Sequence, residues 1–378
     1  MKILDATLGC WLCWILGYLH YLRNPENTAA PVNMPKRILV IRPGGMGDMI
    51  LLIPMLRHIA QSFPSARMDI ICEERNIDVL RLAGFRENAF AYDAGMLRVL
   101  RLLRSGQYDI ALDTEQFHNF SAIIAFLSRA PVRIGFKINP QRNLLYTHLV
   151  NYDLAGYEGA QFSRLLEPAG CTAISSKLEG SISITGTDIP MQAQEKLAGL
   201  TKTGRFITIY SGSTSIYKQW DSGKFTSLIR ALTSGSGCSV VLVGGHNDAE
   251  QANEILKATG NINDRIISLA GQLTLPETAE VIRRSSLFVS GDSGLAHLAT
   301  AVGTSTVVIF GPTDPEKWGH RDSQHRIARK SLACSPCFIF GYHKLCRSID
   351  CMAGISMEEV LAMCNDLLQS QAKGTIIK

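Results

Sequence analysis

The chain has 378 residues, 46% of them hydrophobic and 19% charged, enough to build two domains with sizeable cores. Ten cysteines scattered through so long a chain exclude a small disulfide scaffold and suit a reducing compartment. The net charge of +5 is uneven: residues 34–150 hold 15 Lys and Arg against 10 Asp and Glu, whereas 151–378 hold 21 against 21. An anionic partner is therefore expected on the first half, with scattered solvated arginines as the bland alternative.

Near the start of the chain lies "LGCWLCWILGYLHYL", residues 8–22, an apolar run free of charge and studded with Trp and Tyr. It is barely long enough to span a bilayer, and aromatic side chains favour the membrane–water boundary, so a helix lying in the interface is expected. A helix packed on the protein itself is the alternative. Cys10 and Cys13 form a C-x-x-C there and read as packing residues. "RNPENTAAPVNMP" then reads as a linker, so residues 1–33 form a membrane-associating segment ahead of two domains, 34–185 and 186–378.

From Lys36 onward, continuously apolar runs alternate with amphipathic stretches. "RILVIR" (37–42), "RMDIIC" (67–72), "AFAY" (89–92) and "YDIALD" (108–113) come first; "RFITIY", "SVVLVGG", "RIISLAG", "SLFVSG" and "STVVIFG" follow in the second half. Apolar runs without polar alternation mark strands buried on both faces, as in parallel sheets flanked by helices. Two such series predict an α/β fold of two Rossmann-like, doubly wound domains.

Ligands of such sheets bind beyond the carboxyl ends of the strands, and three clusters fall there. The first is "RPGGMGDMILLIP", where Gly44, Gly45 and Gly47 let the backbone approach a ligand at a helix start. Asp48 is either a first-turn carboxylate or a general base. Ile50 replaces the third small residue of a dinucleotide fingerprint, which disfavours a nicotinamide oxidoreductase. The second cluster, "YSGSTSIYKQW", offers Ser213, Thr214 and Lys218 as phosphate donors, or is a polar turn with an exposed Lys. The third, "GDSGLAHLATAVG", puts Asp292, Ser293, Gly294 and Leu295 at a strand-to-helix junction whose free N–H groups suit a diphosphate. Asp292 would repel phosphate and is expected to meet hydroxyls, unless it is only a cap; His297 is a donor contact or a satisfied core histidine.

These blocks, above all "SGDSGLAHLATAVGTSTVVIFGPTDPEKWG", resemble glycosyltransferase family 9, the ADP-heptose:lipopolysaccharide heptosyltransferases. The resemblance runs from about Arg37 to the C-terminus. It implies the GT-B fold, two domains facing a cleft, with the acceptor on the first and the nucleotide sugar on the second. It also implies inverting transfer with no metal required, Asp48 as the base, and donor contacts from Ser213, Thr214, Lys218, Asp292, Ser293, Gly294, Leu295 and His297. Three positions depart from the family pattern: Ser293 for the commoner Thr, Asp221 where Pro often follows Trp220, and His320 where Pro often follows Gly319.

The expected function is transfer of a heptose from ADP-heptose to a lipopolysaccharide core acceptor, an anionic glycolipid. The expected place is the cytoplasmic face of the bacterial inner membrane, with the protein peripheral to it. A different nucleotide-hexose donor, or a non-catalytic nucleotide-sugar binder, is the alternative. No nucleic-acid partner is expected. Arg98, Arg101 and Arg104 share a helix face that either meets anions or is simply solvated. Near the end, Cys334, Cys337, Cys346 and Cys351 are spaced C-x2-C-x8-C-x4-C and could hold a structural zinc; free thiols and local disulfides are the alternatives.

Overall fold

In the computed structural model the described residues are 5–23, 32, 34–171, 176–184, 188–201, 204–235, 237–260, 265–339, 342–343, 346 and 348–375. The chain divides into two compact units, 1–178 and 179–378. The expected boundary at 185/186 and most of the expected linker, 24–31 and 33, lie outside the described residues.

Unit 1 is built on six parallel strands: β1 Arg37–Arg42, β2 Arg67–Cys72, β3 Ala89–Ala91, β4 Ile110–Asp113, β5 Val132–Lys137 and β6 His148–Asn151. Their order is β3-β2-β1-β4-β5-β6. Unit 2 repeats the pattern with β7 Phe206–Tyr210, β8 Ser239–Leu242, β9 Ile266–Ser268, β10 Leu287–Gly291, β11 Thr306–Phe310 and β12 His325–Arg329, ordered β12-β11-β10-β7-β8-β9. Both are the doubly wound arrangement, in which the direction of winding reverses between the first and fourth strands. The central strands are buried along their whole length, as their unbroken apolar runs require.

Three strands escaped the sequence reading. β5 and β6 carry Arg133, Lys137 and two polar termini, and β12 carries His325, Arg326 and Arg329, so none presents a clean apolar run. Arg133 nonetheless sits in β5 nearly buried, because its guanidinium donates to the carbonyls of Leu145 and Ala130, each at 2.8 Å.

The N-terminal segment belongs to unit 1. A π-helical turn, Asp5–Gly9, leads into α1, Cys10–Arg23. Asp5 accepts from the backbone N–H groups of Asn119 (3.0 Å) and Phe120 (2.8 Å), so it satisfies the open donors at the start of α4, Asn119–Leu127. Cys13 is fully buried and burial pushes its thiol up to about 12, in keeping with a packing role. Gly17 lies so close to Leu144 that an added Cβ would come within 2.5 Å of it. The opposite side of α1 is open: Trp11, Tyr18 and Leu22 are 69, 61 and 61% exposed, with Trp14 and Ile15 beside them. No helix among the described residues is long and apolar enough to cross a membrane.

Candidate active site

In unit 1 the site begins where β1 ends. The chain turns through Gly44, whose φ of +122° few side chains tolerate, and enters α2, Met46–Ser62, from the extended cap residue Gly45. Gly45 offers no side-chain cap, Gly47 lies in the first turn, and Asp48 supplies that turn's carboxylate, where the helix dipole favours it. The Asp48 side chain is 24% exposed, and its Oδ2 pairs with Arg42 Nη2 at 3.1 Å.

Arg42 is the residue that the sequence reading missed. Its side chain is 3% exposed. Nη1 donates to the Thr114 carbonyl at 2.6 Å and to Gln116 Oε1 at 3.3 Å, Glu115 lies 3.9 Å away, and the guanidinium sits 5.0 Å from the centre of the Phe162 ring. Burial alone would lower its basicity, but Asp48 and Glu115 outweigh burial and raise it. Burial likewise pushes Glu115 up, yet Arg42 and His118 hold its carboxyl down at about 2. The polar run "DTEQFH" that follows β4 is fixed beneath by Arg142, fully buried, which pairs with Asp113 at 3.1 Å and donates to the Glu115 carbonyl at 2.7 Å. Such a run straight after a buried strand was the one available signal. A carboxylate gripped through one oxygen by a fixed cation, partly open to solvent, can accept a proton or a hydroxyl hydrogen bond without reorienting.

In unit 2 the corresponding corner joins the second and third sequence clusters. After β7 the chain makes a turn in which Ser213 Oγ donates to the Ser215 carbonyl (2.8 Å) and accepts from its N–H (3.2 Å); Thr214 is exposed. A short 3-10 turn, Ile216–Lys218, then aims Lys218 at Asp292, Nζ to Oδ2 2.7 Å, with side-chain exposures of 14 and 9%. Gly291 makes room for this: a Cβ there would stand 3.2 Å from the Lys218 carbonyl oxygen. Burial raises the Asp292 carboxyl, but Lys218 and then His297 pull it below the ordinary carboxylate value.

Ser293 caps α5, Gly294–Ala301, accepting from the Ala296 N–H at 3.3 Å, while Gly294 remains half-buried at the first turn and Leu295 is buried. His297 is also buried, its Nδ1 3.4 Å from Nε2 of His320, one of the departures from the family pattern. Burial, aided by His297 and His325, pushes His320 down to about 2, so it is neutral at ordinary pH. The structure thus brings Lys218, Asp292, Ser293 and Gly294 together and sets Ser213 and Thr214 on the adjoining turn.

The four C-terminal cysteines, Cys334, Cys337, Cys346 and Cys351, line one cavity and none is disulfide-bonded. Among the described residues no group of three or more His, Cys, Asp or Glu side chains is placed to hold a metal ion. Cys351 lies buried under Gly311 whereas Cys334 is exposed, which separates the first and last thiols by environment.

The sequence matches glycosyltransferase family 9 (heptosyltransferase) over residues 96–341, well over half the chain. The chain belongs to that family. This family member is 28% identical over 289 residues to lipopolysaccharide heptosyltransferase 3 of Escherichia coli, covering 72% of this chain and 82% of that protein. It is 25% identical over 331 residues to lipopolysaccharide heptosyltransferase 2 of Salmonella typhimurium, covering 82 and 90%. The structure of E. coli ADP-heptose lps heptosyltransferase II shares the fold, with a TM-score of 0.69 at 22% identity over 89% of this chain and 99% of that one. As a family 9 member the protein is a glycosyltransferase of the GT-B class. The family match takes in the Lys218–Asp292 corner but starts beyond Asp48, whose role therefore rests on its geometry.

Proposed function

We propose that this family 9 enzyme transfers a heptose from ADP-heptose to a lipopolysaccharide core acceptor, inverting the anomeric centre. The relatives named as lipopolysaccharide heptosyltransferases support the donor and acceptor class. The observation that carries the reading is the Lys218–Asp292 pair beside the Ser293-capped start of α5, at the carboxyl end of the unit 2 sheet. A fixed ammonium and the first N–H groups of a helix are what a departing diphosphate needs.

Asp48, steadied by Arg42, takes the proton of an acceptor hydroxyl. That oxygen bonds to the anomeric carbon as the carbon–oxygen bond to the diphosphate breaks, and ADP leaves with its charge met by Lys218 and the α5 amides. Asp292 holds Lys218 in place and accepts from a donor hydroxyl. With the positive charge supplied this way, the transfer step needs no metal.

The open apolar side of α1 would lie on the membrane surface, where Trp11, Trp14 and Tyr18 favour the interface, placing the enzyme peripherally on the cytoplasmic face of the inner membrane. The test is incubation with a panel of ADP-, UDP- and GDP-sugars and core-truncated lipopolysaccharide, with mass analysis of the lipid. Addition of one heptose from ADP-heptose alone is expected; transfer only from a hexose donor, or no transfer from any, refutes the reading.

A further inference from the structure

Unit 1 holds an apolar cavity of about 370 Å³, within the size range of small-molecule sites. The site described above does not use it. It lies among the N-terminal turn, α3 (Met96–Ser105) and α4, and its depth is formed by Ile41, Val99, Leu103 and Ile123, all buried. Its rim is apolar as well, for the lining residues Leu8, Met96 and Leu127 are 50, 48 and 41% exposed. Leu8 also begins the open stripe that continues along α1 through Trp11, Ile15, Tyr18 and Leu22, so the mouth and the stripe form one apolar surface.

The polar side chains that border the cavity are already engaged. Asp5 caps α4, Tyr92 donates to Glu73 at 2.9 Å, Ser121 donates to Asp113 at 2.8 Å and His118 pairs with Glu115 at 3.2 Å. A hydrocarbon occupant would break none of these bonds, whereas a polar ligand would have to displace them. The outer side of α3 carries the exposed Arg98, Arg101 and Arg104 and no acidic residue. Arg98 and Arg104 each lie about a third of a turn from the line of Val99 and Leu103 that faces the cavity, one on either flank, and Arg101 lies opposite it. An apolar slot beneath a basic helix matches a chain joined to an anionic headgroup.

We propose that the cavity receives one acyl chain of an anionic membrane lipid, with the headgroup against the basic side of α3. The proposal rests on the membrane-facing reading of α1 only for delivery of the lipid; occupancy itself requires neither a bilayer nor turnover.

The test uses the full chain and the fluorescent fatty acid cis-parinaric acid, with no vesicles present. Saturable binding is expected, displaced by short-chain phosphatidylglycerol, kept monomeric below its micelle concentration, more readily than by short-chain phosphatidylcholine. Leu100→Trp and Ile124→Trp, two independent ways to fill the slot, should each weaken it by about tenfold while melting like the parent. The pair Trp11→Ser with Trp14→Ser should lose docking to phosphatidylglycerol vesicles yet keep parinaric acid, so loss of membrane docking and an empty cavity are distinguishable. Arg101→Glu with Arg104→Glu should erase the headgroup preference. Absence of saturable binding overturns the proposal, as does undiminished binding in both tryptophan variants. Displacement by the purified glycolipid acceptor alone assigns the slot to the substrate's own lipid and overturns it equally.

Discussion

The two units share one strand order and place their candidate site residues at the same point of it, yet furnish that point differently. In unit 1 the residues after β1, Arg42 and Asp48, meet those after β4, Thr114 to Gln116. In unit 2 Lys218, after β7, meets Asp292, after β10. Both are the places where the winding reverses and neighbouring loops part, leaving a crevice at the carboxyl ends of the strands. Unit 1 fills its crevice with a dense ionic network around a single half-open carboxylate. Unit 2 leaves hydroxyls, amides and one ion pair around a helix start. A scaffold of this kind fixes where chemistry occurs, and the loops decide which chemistry.

The largest break in this contrast should come from Asp48→Asn, which removes the base but keeps the shape. Steady-state transfer should fall by roughly 10²–10⁴-fold in kcat. Turnover close to the parent's would remove Asp48 from the mechanism. Next comes Arg42→Met, which strips the buried cation from Asp48 and Glu115. It should cost about 3–5 kcal/mol of stability in denaturant titration, because a buried charge left without its partner is expensive. Lys218→Ala should slow transfer by roughly 10²-fold, as loss of one fixed charge at a leaving group does, and should also lower stability, because the largely buried Asp292 loses its partner.

A gentler probe of unit 2 is Gly291→Ala. It should shift the Lys218 turn by a few tenths of an ångström and raise the donor KM several-fold, about 1 kcal/mol, with little effect on kcat. The smallest effect concerns unit 1. His118 is raised above 6.5 chiefly by its hydrogen bond to Glu115, so its NMR titration midpoint should lie above that value and drop in Glu115→Gln. Because the folded value is the higher one, the pair's stabilisation is complete below pH 6.5 and fades as pH rises through the raised midpoint.

Much of the fold was legible because buried parallel strands need unbroken apolar runs, and "RILVIR" or "SLFVS" can be little else. The strands that were missed carry charges that tertiary partners satisfy, as Leu145 does for Arg133, and single-residue patterns cannot register a partner twelve residues away. At the sites, glycines and hydroxyls beside strand ends announced the helix starts. Arg42 stayed hidden because an arginine ending a strand usually reads as exposed, and only the fold brings Thr114, Gln116 and Phe162 around it. Asp5 was likewise passed over as a flank of an apolar run, though it caps α4 more than a hundred residues along.

The division of labour between the units is tested most directly by calorimetric titration of ADP-heptose into Asp48→Asn and Lys218→Ala beside the parent. Asp48→Asn should bind the donor with the parent's affinity, and Lys218→Ala about tenfold more weakly. Donor affinity lost on replacing Asp48 and kept on replacing Lys218 would contradict the assignment of acid–base work to unit 1 and diphosphate binding to unit 2.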